Sequence, residues 1–250
     1  MFSKLFFITF FFHTFAHAFI NVEPPIIGEK SALSGEFGIG AKYDKGNAEK
    51  NALNFTIKSQ YDSKDWLIYL KASYNYGESN GMSDTNDGVI HLRYLHTFFN
   101  PQHDYELFFQ SEFNEFQKIK NRELLGANIR RKLDLGFDKL YLGLGAFYSY
   151  MEEDSITIIN PTYQQLNLNS YISFLKKLNS HFSITYVGYY QPNVENFSDF
   201  RTFQVLQFSN LISKNLSLSL DINHQYDAKP YVGVEKSDLR SSINLRYTFD

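Results

Sequence analysis

One pattern recurs along most of this chain: apolar and polar residues alternate for about ten positions, a break rich in Asn, Asp, Ser, Gly or Pro follows, and the alternation resumes. A period of two puts successive side chains on opposite faces of a strand, so each run makes one apolar and one polar face. The clearest run sets Trp66, Ile68, Leu70, Ala72, Tyr74 and Tyr76 on one parity, with Leu67, Tyr69, Lys71, Ser73 and Asn75 between them. Leu53-Phe55-Ile57, Ile90-Leu92-Tyr94, Tyr105-Leu107-Phe109, Leu140 to Tyr148, Phe182-Ile184-Tyr186, Leu216 to Ile222 and Ile243 to Phe249 repeat it. Weaker runs at 33–43, 122–132, 163–174 and 200–211 bring the total to about twelve strands. In the run at 200–211, Phe203, Val205 and Leu211 stand on one parity and Leu206 and Phe208 on the other, so its apolar face stays open. Helical spacing is almost absent.

The breaks alternate in length. Those after odd-numbered strands, at 44–49, 77–88, 114–121, 152–161, 192–199 and 227–237, are mostly longer than those at 62–64, 99–103, 133–138, 176–180 and 213–215. Outer-membrane barrels have this asymmetry, with longer extracellular loops and short periplasmic turns. Proline supports a closed sheet, which has no free edge to accept a residue without an N–H. Pro24 and Pro25 precede the first strand, and Pro101, Pro161, Pro192 and Pro230 are all assigned to breaks.

Composition now has an explanation. Aromatic residues make up 18% of the 250 positions, yet the mean hydropathy is −0.34. If half of each strand faces lipid and half a polar lumen, the average cancels. The rings also crowd at strand ends. Tyr43, Tyr74, Tyr76, Phe113, Tyr148, Tyr150, Tyr190 and Tyr226 lie toward the loops, and Trp66, Phe98, Tyr105, Phe174, Phe182 and Phe249 toward the turns. Strand propensity accounts for their presence, whereas two belts flanking an aliphatic band are what a membrane requires. The fold expected is therefore an all-β, antiparallel, up-and-down transmembrane barrel of about twelve strands.

The first residues read as an export signal. Lys4 supplies the positive region, Leu5 to Phe15 the apolar core, and Ala16-His17-Ala18 a small-x-small cleavage site. Beyond it no stretch approaches the roughly 20 apolar residues of a membrane helix. The organisation expected is a signal peptide over 1–18, a short periplasmic segment over 19–32 and a barrel over 33–250, in a Gram-negative outer membrane with both termini periplasmic. Removing the leader, with its single charged Lys4, takes the formal charge from −3 to −4, so no basic face argues for nucleic acid. The absence of cysteine excludes disulfides, thiolate metal sites and cysteine nucleophiles. The chain ends on a strand whose apolar face carries Tyr247 and Phe249, similar to the aromatic signal read by the barrel assembly machinery, although Asp250 makes the last ring penultimate.

Several stretches resemble the domain-of-unknown-function family of salt-induced outer-membrane proteins. They are Ser34-Gly35-Glu36-Phe37-Gly38 leading into Lys45-Gly46-Asn47-Ala48-Glu49-Lys50-Asn51, then Tyr74-Asn75-Tyr76-Gly77-Glu78, Glu123 to Arg130, and Leu142-Gly143-Leu144-Gly145-Ala146-Phe147-Tyr148. The Gly46-Asn47 pair stands where the family often has Gly-Asn-Thr, with Ala48 in third place here. The resemblance implies a small outer-membrane barrel, surrounded by outer-membrane lipid and lipopolysaccharide, and implies no activity.

Chemistry is sought on the polar parity, which carries Glu36, Lys42, Lys58, Lys71, His91, Arg93, Glu106, Glu112, Arg130, Asp221 and Arg246. Mixed charges in a confined lumen should pair. Arg93, Glu112, Arg130, Asp221 and Arg246 are the candidate network, with Arg93, Glu112, Arg130 and Arg246 either forming a constriction or belonging to a plug. Twelve strands lie between the filled eight-strand barrels and the open sixteen-strand porins, so both alternatives stand. A lipid-acting hydrolase or acyltransferase would need His224, on the apolar face, with a loop serine such as Ser79, Ser198 or Ser237. His96 also faces outward and reads as an interfacial ring. Asp84 to Gly88 approaches a calcium loop but has its glycine one position early and no closing Glu. Glu152-Glu153-Asp154, with Asp84 and Asp87, could meet the divalent cations of lipopolysaccharide or simply be solvated loop. The Asn54-Phe55-Thr56 and Asn215-Leu216-Ser217 sequons read as chance, and no cofactor motif is present.

Overall fold

The computed structural model describes residues 25–28, 32–44, 50–154 and 161–249, without the side chains of 32 and 42–44. The leader, most of the segment at 19–32, the Gly46-Asn47-Ala48 match, the Lys42 and Tyr43 side chains and Asp250 lie outside these described residues. Twelve strands follow one another: β1 (Ala32–Asp44), β2 (Lys50–Asp62), β3 (Trp66–Ser79), β4 (Met82–Phe98), β5 (Asn100–Asn114), β6 (Ile119–Lys132), β7 (Lys139–Glu153), β8 (Thr162–Lys177), β9 (Phe182–Pro192), β10 (Phe200–Leu211), β11 (Leu216–Asp227) and β12 (Ser237–Phe249). Each pairs antiparallel with the next, and β1 pairs with β12 from Gly35↔Phe249 to Gly40↔Asn244, which closes the barrel. Closure leaves no edge of unpaired amides, the condition for a sheet to cross lipid. A tilted strand crosses the hydrocarbon in about 9–11 residues, so even β9 is long enough.

We call the rim holding the start of β1 and the end of β12 the chain-end rim, and the other the far rim. The strand count and the weaker runs agree with the alternation, but the break expected at 77–88 is almost wholly strand. β3 and β4 meet in the two-residue turn Asn80-Gly81, with φ of 51° and 76°. Asn-Gly is the strongest two-residue hairpin signal, because both central positions need positive φ, and it outweighs the polar composition around it. Two prolines also fall inside strands rather than breaks. Pro192 is the last residue of β9, and Pro101 is the second of β5. Pro101 is tolerated because the ladder to β4 jumps from Phe98↔Asn100 to Thr97↔Asp104, leaving it without a partner.

The outward parity is apolar around the whole barrel. Ile39, Leu53, Ile57, Leu70, Ile90, Leu107, Leu125, Leu144, Leu220 and Ile243 all stand exposed, Leu125 and Leu144 at 66% and 65%. A continuous apolar girdle of this extent does not persist in water, and its place is a bilayer. Aromatic groups border it. Toward the chain-end rim, Tyr61, Trp66, Tyr94, His96 and Tyr105 form a chain of ring contacts 5.3–6.3 Å apart. Phe249 stacks on Phe37 there at 5.5 Å. Toward the far rim, Tyr74 meets Phe113 at 6.4 Å, and Phe200 bridges Tyr190 and Tyr226 at 5.4 and 5.6 Å. Tyr76, Phe98, Phe113 and Tyr190 are exposed on this face, and Trp66, Tyr150, Tyr226 and Phe249 are half-buried.

The inner wall is where the open parity of β10 resolves. Leu206 and Phe208 face outward, while Phe203 and Val205 turn inward onto Tyr171, Val187 and Tyr189. Two more apolar groups lie inside, Leu67, Tyr69, Val89 and Leu95 on β3 and β4, and Phe108, Leu124 and Phe147 on β5 to β7. The lumen is therefore lined partly by apolar side chains, where the alternation predicted only polar ones.

Candidate functional site in the lumen

The inward charges sort into separate groups. Near the chain-end rim, Arg130 Nε donates to Asp104 Oδ2 at 2.7 Å and lies 3.8 Å from Glu106 Oε1. Its Nη2 donates to the Pro25 carbonyl at 2.9 Å, and the guanidinium lies 4.1 Å from the centre of the Tyr141 ring. Glu106 also accepts from Arg93 Nη1 at 3.4 Å and from Asn128 Nδ2 at 3.0 Å. Such planar, multiply bonded guanidinium pairs are the form in which a buried charge is tolerated.

Arg93 does more than pair. Its Nη2 donates to the Tyr189 hydroxyl at 3.2 Å, and the guanidinium lies 6.0 Å from the Tyr171 ring centre. Arg93 stands on β4 and Tyr189 on β9, nearly opposite in the twelve-strand ring, so this bond crosses the lumen. Tyr171 fits because Gly143, its cross-strand neighbour, leaves the space its ring fills; a Cβ there would collide with that ring. From the far side, Gln191 Nε2 donates to Asn169 and Asn169 Nδ2 to Asn128, both at 3.0 Å, which ties β9 back to Glu106.

A second group joins β12, β1, β2 and β11. Arg246 Nη1 donates to Glu36 at 2.8 Å, Nε to Ser219 at 2.8 Å, and Nη2 to Asp221. Lys58 lies 3.0 Å from the same Glu36 oxygen, and Gln207 and Asn244 donate to Asp221. The third pairs Arg122 with Glu112 at 2.8 Å, and Glu112 accepts from Gln110, which meets His91 at 3.1 Å. The five candidate residues Arg93, Glu112, Arg130, Asp221 and Arg246 are thus all buried, but they do not make one ring. Arg93 and Arg130 share Glu106, Arg246 holds Asp221, and Glu112 belongs to Arg122. Each of these five is held by an opposite charge on an adjacent strand, which register decides and parity does not.

Near the far rim another bond crosses the lumen: Arg240 of β12 lies 3.3 Å from Asp87 of β4, which also accepts from Asn75 at 2.6 Å. Asp84 is held by Lys50 at 2.7 Å. The stretch from Asp84 to Gly88 is therefore β-strand with both aspartates paired, and not a calcium loop. Among the described residues no set of three or more His, Asp or Glu is arranged to hold a metal.

A profile for proteins of unknown function, DUF481, matches residues 37–249. The chain belongs to DUF481. Among curated proteins none matches it. Among solved structures, the NanC porin overlays with a TM-score of 0.51 at 11% identity, covering 88% of this chain and all of that one. The translocator domain of the autotransporter NalP from Neisseria meningitidis gives 0.48 at 10% identity, over 89% of this chain and 90% of that one. At 11% identity the likeness to the NanC porin concerns the fold alone, a closed β-barrel.

On the outside of this DUF481 barrel, His224 and Ser237 are brought together, with His224 Nε2 3.0 Å from Ser237 Oγ near the far rim. Ser79 and Ser198 form no such contact with it; Ser198 donates to Asn196. His96 Nδ1 lies 2.7 Å from the Thr97 carbonyl, within the chain-end ring cluster. The residues that sequence reading missed are Asp104, Arg122 and Arg240, together with the inward rings Tyr171 and Tyr189, and Asp87, expected in a loop, stands in the lumen. All share their strand's inward parity, the one signal that could have found them.

Proposed function

We propose that this DUF481 protein is a non-catalytic outer-membrane barrel with an occluded lumen, a structural envelope component and not an open diffusion channel, with both termini in the periplasm. The bond from Arg93 to Tyr189 carries the reading: a pore open along its axis has no place for a side-chain contact between nearly opposite strands. The burial of Lys58, Arg93, Glu106, Glu112 and Arg130 to 6% exposure or less supports it, since water in a channel would wet them. Packing of Pro25 and Ile27 against the lumen contributes at the chain-end rim. The apolar girdle and the ring belts support residence in lipid, and the closing strand supports handling by the barrel assembly machinery.

Planar bilayer recording tests the reading. The purified protein is expected to show no steady conductance steps at neutral pH, and Arg93→Ala with Tyr189→Ala is expected to produce them. Regular steps from the unmodified protein would establish a narrow diffusion channel instead. The family resemblance adds a link to salt stress, for which a deletion strain should grow more slowly than its parent at raised osmolarity.

The contact between His224 and Ser237 favours a second reading, a lipid-acting hydrolase or acyltransferase. A serine nucleophile needs a base that is itself oriented, and among the described residues nothing holds the other ring nitrogen of His224. Lipid hydrolysis that disappears in His224→Ala would overturn the non-catalytic reading.

A further inference from the structure

The chain-end rim is not uniform. The turns joining β6 to β7, β8 to β9 and β10 to β11 are neighbours, and each exposes apolar side chains: Leu135 and Phe137, Leu178, and Ile212. Cations bracket these tips. Arg131, Lys132, Lys139, Lys176, Lys177 and Lys214 stand there, against Asp134 and Asp138 among the described residues of these turns and their flanks. On the other half of the rim, Lys64 of the β2–β3 turn has Asp62 and Asp65 beside it.

The three turns are tied into one ledge. Lys176 Nζ donates to the Gly136 carbonyl at 2.5 Å, and the Lys177 backbone N–H donates to Asp138 Oδ2 at 2.7 Å. That backbone bond, with the lysines beside it, holds the exposed Asp138 carboxyl below its ordinary range. Phe137 lies 4.8 Å from Phe174, and the Leu211 amide donates to His181 O at 2.7 Å. Arg131, Lys177 and Lys214 remain exposed and are not ion-paired among the described residues.

Fixed apolar tips with cations around them match a particular surface. An acidic soluble partner needs the cations but gives no reason for Leu135, Leu178 and Ile212 to project among them. A lipid interface accounts for both, because the tips enter the headgroup boundary while the long basic side chains reach the phosphates. We infer that this ledge is a docking surface for anionic phospholipid headgroups in the leaflet that meets the chain-end rim. The inference rests on the membrane reading above and adds a lipid class and a place.

A tryptophan reporter tests it, since Trp66 is the only tryptophan. The full mature chain carrying Trp66→Phe and Phe137→Trp is inserted into phosphatidylcholine vesicles doped with brominated phosphatidylglycerol or brominated phosphatidylcholine. Brominated phosphatidylglycerol is expected to quench about twofold more strongly, and Arg131→Gln, Lys177→Gln and Lys214→Gln together should equalise the two. Equal quenching before those substitutions overturns the docking surface, as does an excess that survives them. No quenching by either lipid from correctly folded protein would overturn the membrane reading itself. Folding is read from heat-modifiable gel mobility, and should the triple variant fail it, each single substitution is expected to remove about a third of the excess.

Discussion

The outer and inner walls of the barrel are made by the same strands yet obey different rules. On the outer wall Leu53, Ile90, Leu125 and Ile243 need only be apolar, because what each meets is a solvent. On the inner wall Arg130 needs Asp104, Glu106, Tyr141 and the Pro25 carbonyl at their particular positions. The outer requirement concerns one residue at a time, and the inner one concerns sets. A substitution that is mild on one wall should be severe on the other.

The inner wall offers the largest effect. Arg130→Met strands the buried Asp104, while Glu106 keeps Arg93, and breaking a buried pair by removing one partner costs about 3–5 kcal/mol. Denaturant unfolding in lipid should show that loss, and adding Asp104→Asn should restore part of it by removing the orphaned charge. A loss below about 1 kcal/mol would mean water reaches the group and the lumen is open there. On the outer wall, Leu125→Arg should cost about 2–4 kcal/mol in a bilayer, as an arginine does at the lipid midplane, while Leu125→Ile or Leu125→Val should be nearly neutral. Tyr189→Phe is smaller. It removes the hydroxyl that Arg93 reaches across the lumen and should cost about 1 kcal/mol, with the ring still filling its place.

This difference also explains what the sequence could reveal. Alternation identifies the strands and their outward residues because lipid imposes one condition at every second position, and runs such as Ile68-Leu70-Ala72 need no knowledge of their neighbours. Closure follows from strand number and the loop asymmetry. The interior did not yield in the same way. That Arg93 faces inward is legible from parity, but that it shares Glu106 with Arg130 and bonds Tyr189 depends on register and on which strands face each other. Parity groups Glu112 with Arg93 and Arg130, and register gives it to Arg122 instead. The inward Phe203 and Val205 looked like an ambiguity because a lumen was expected to be polar throughout. At 77–88 the polar composition suggests a long break, whereas Asn80-Gly81 carries the turn signal that the hairpin follows.

Phe99 brings the two kinds of rule into conflict at one residue. It alone joins β4 to β5, with φ of 62°, a conformation that strains a bulky side chain by about 1–2 kcal/mol. Its ring is 91% exposed and lies 4.2 Å from Phe98, at the chain-end belt. Backbone geometry favours glycine there, and an interfacial belt favours the ring. Phe99→Gly should therefore stabilise the barrel by about 1 kcal/mol where no headgroup layer rewards the ring, as in a small detergent micelle, and by less in a bilayer. The quantity to measure is the difference between the two media for the same substitution. A larger gain in the micelle places the ring at the headgroups, where the surrounding medium sets what the position needs. Equal gains would mean that no headgroup reaches Phe99, and that the belt ends at Phe98.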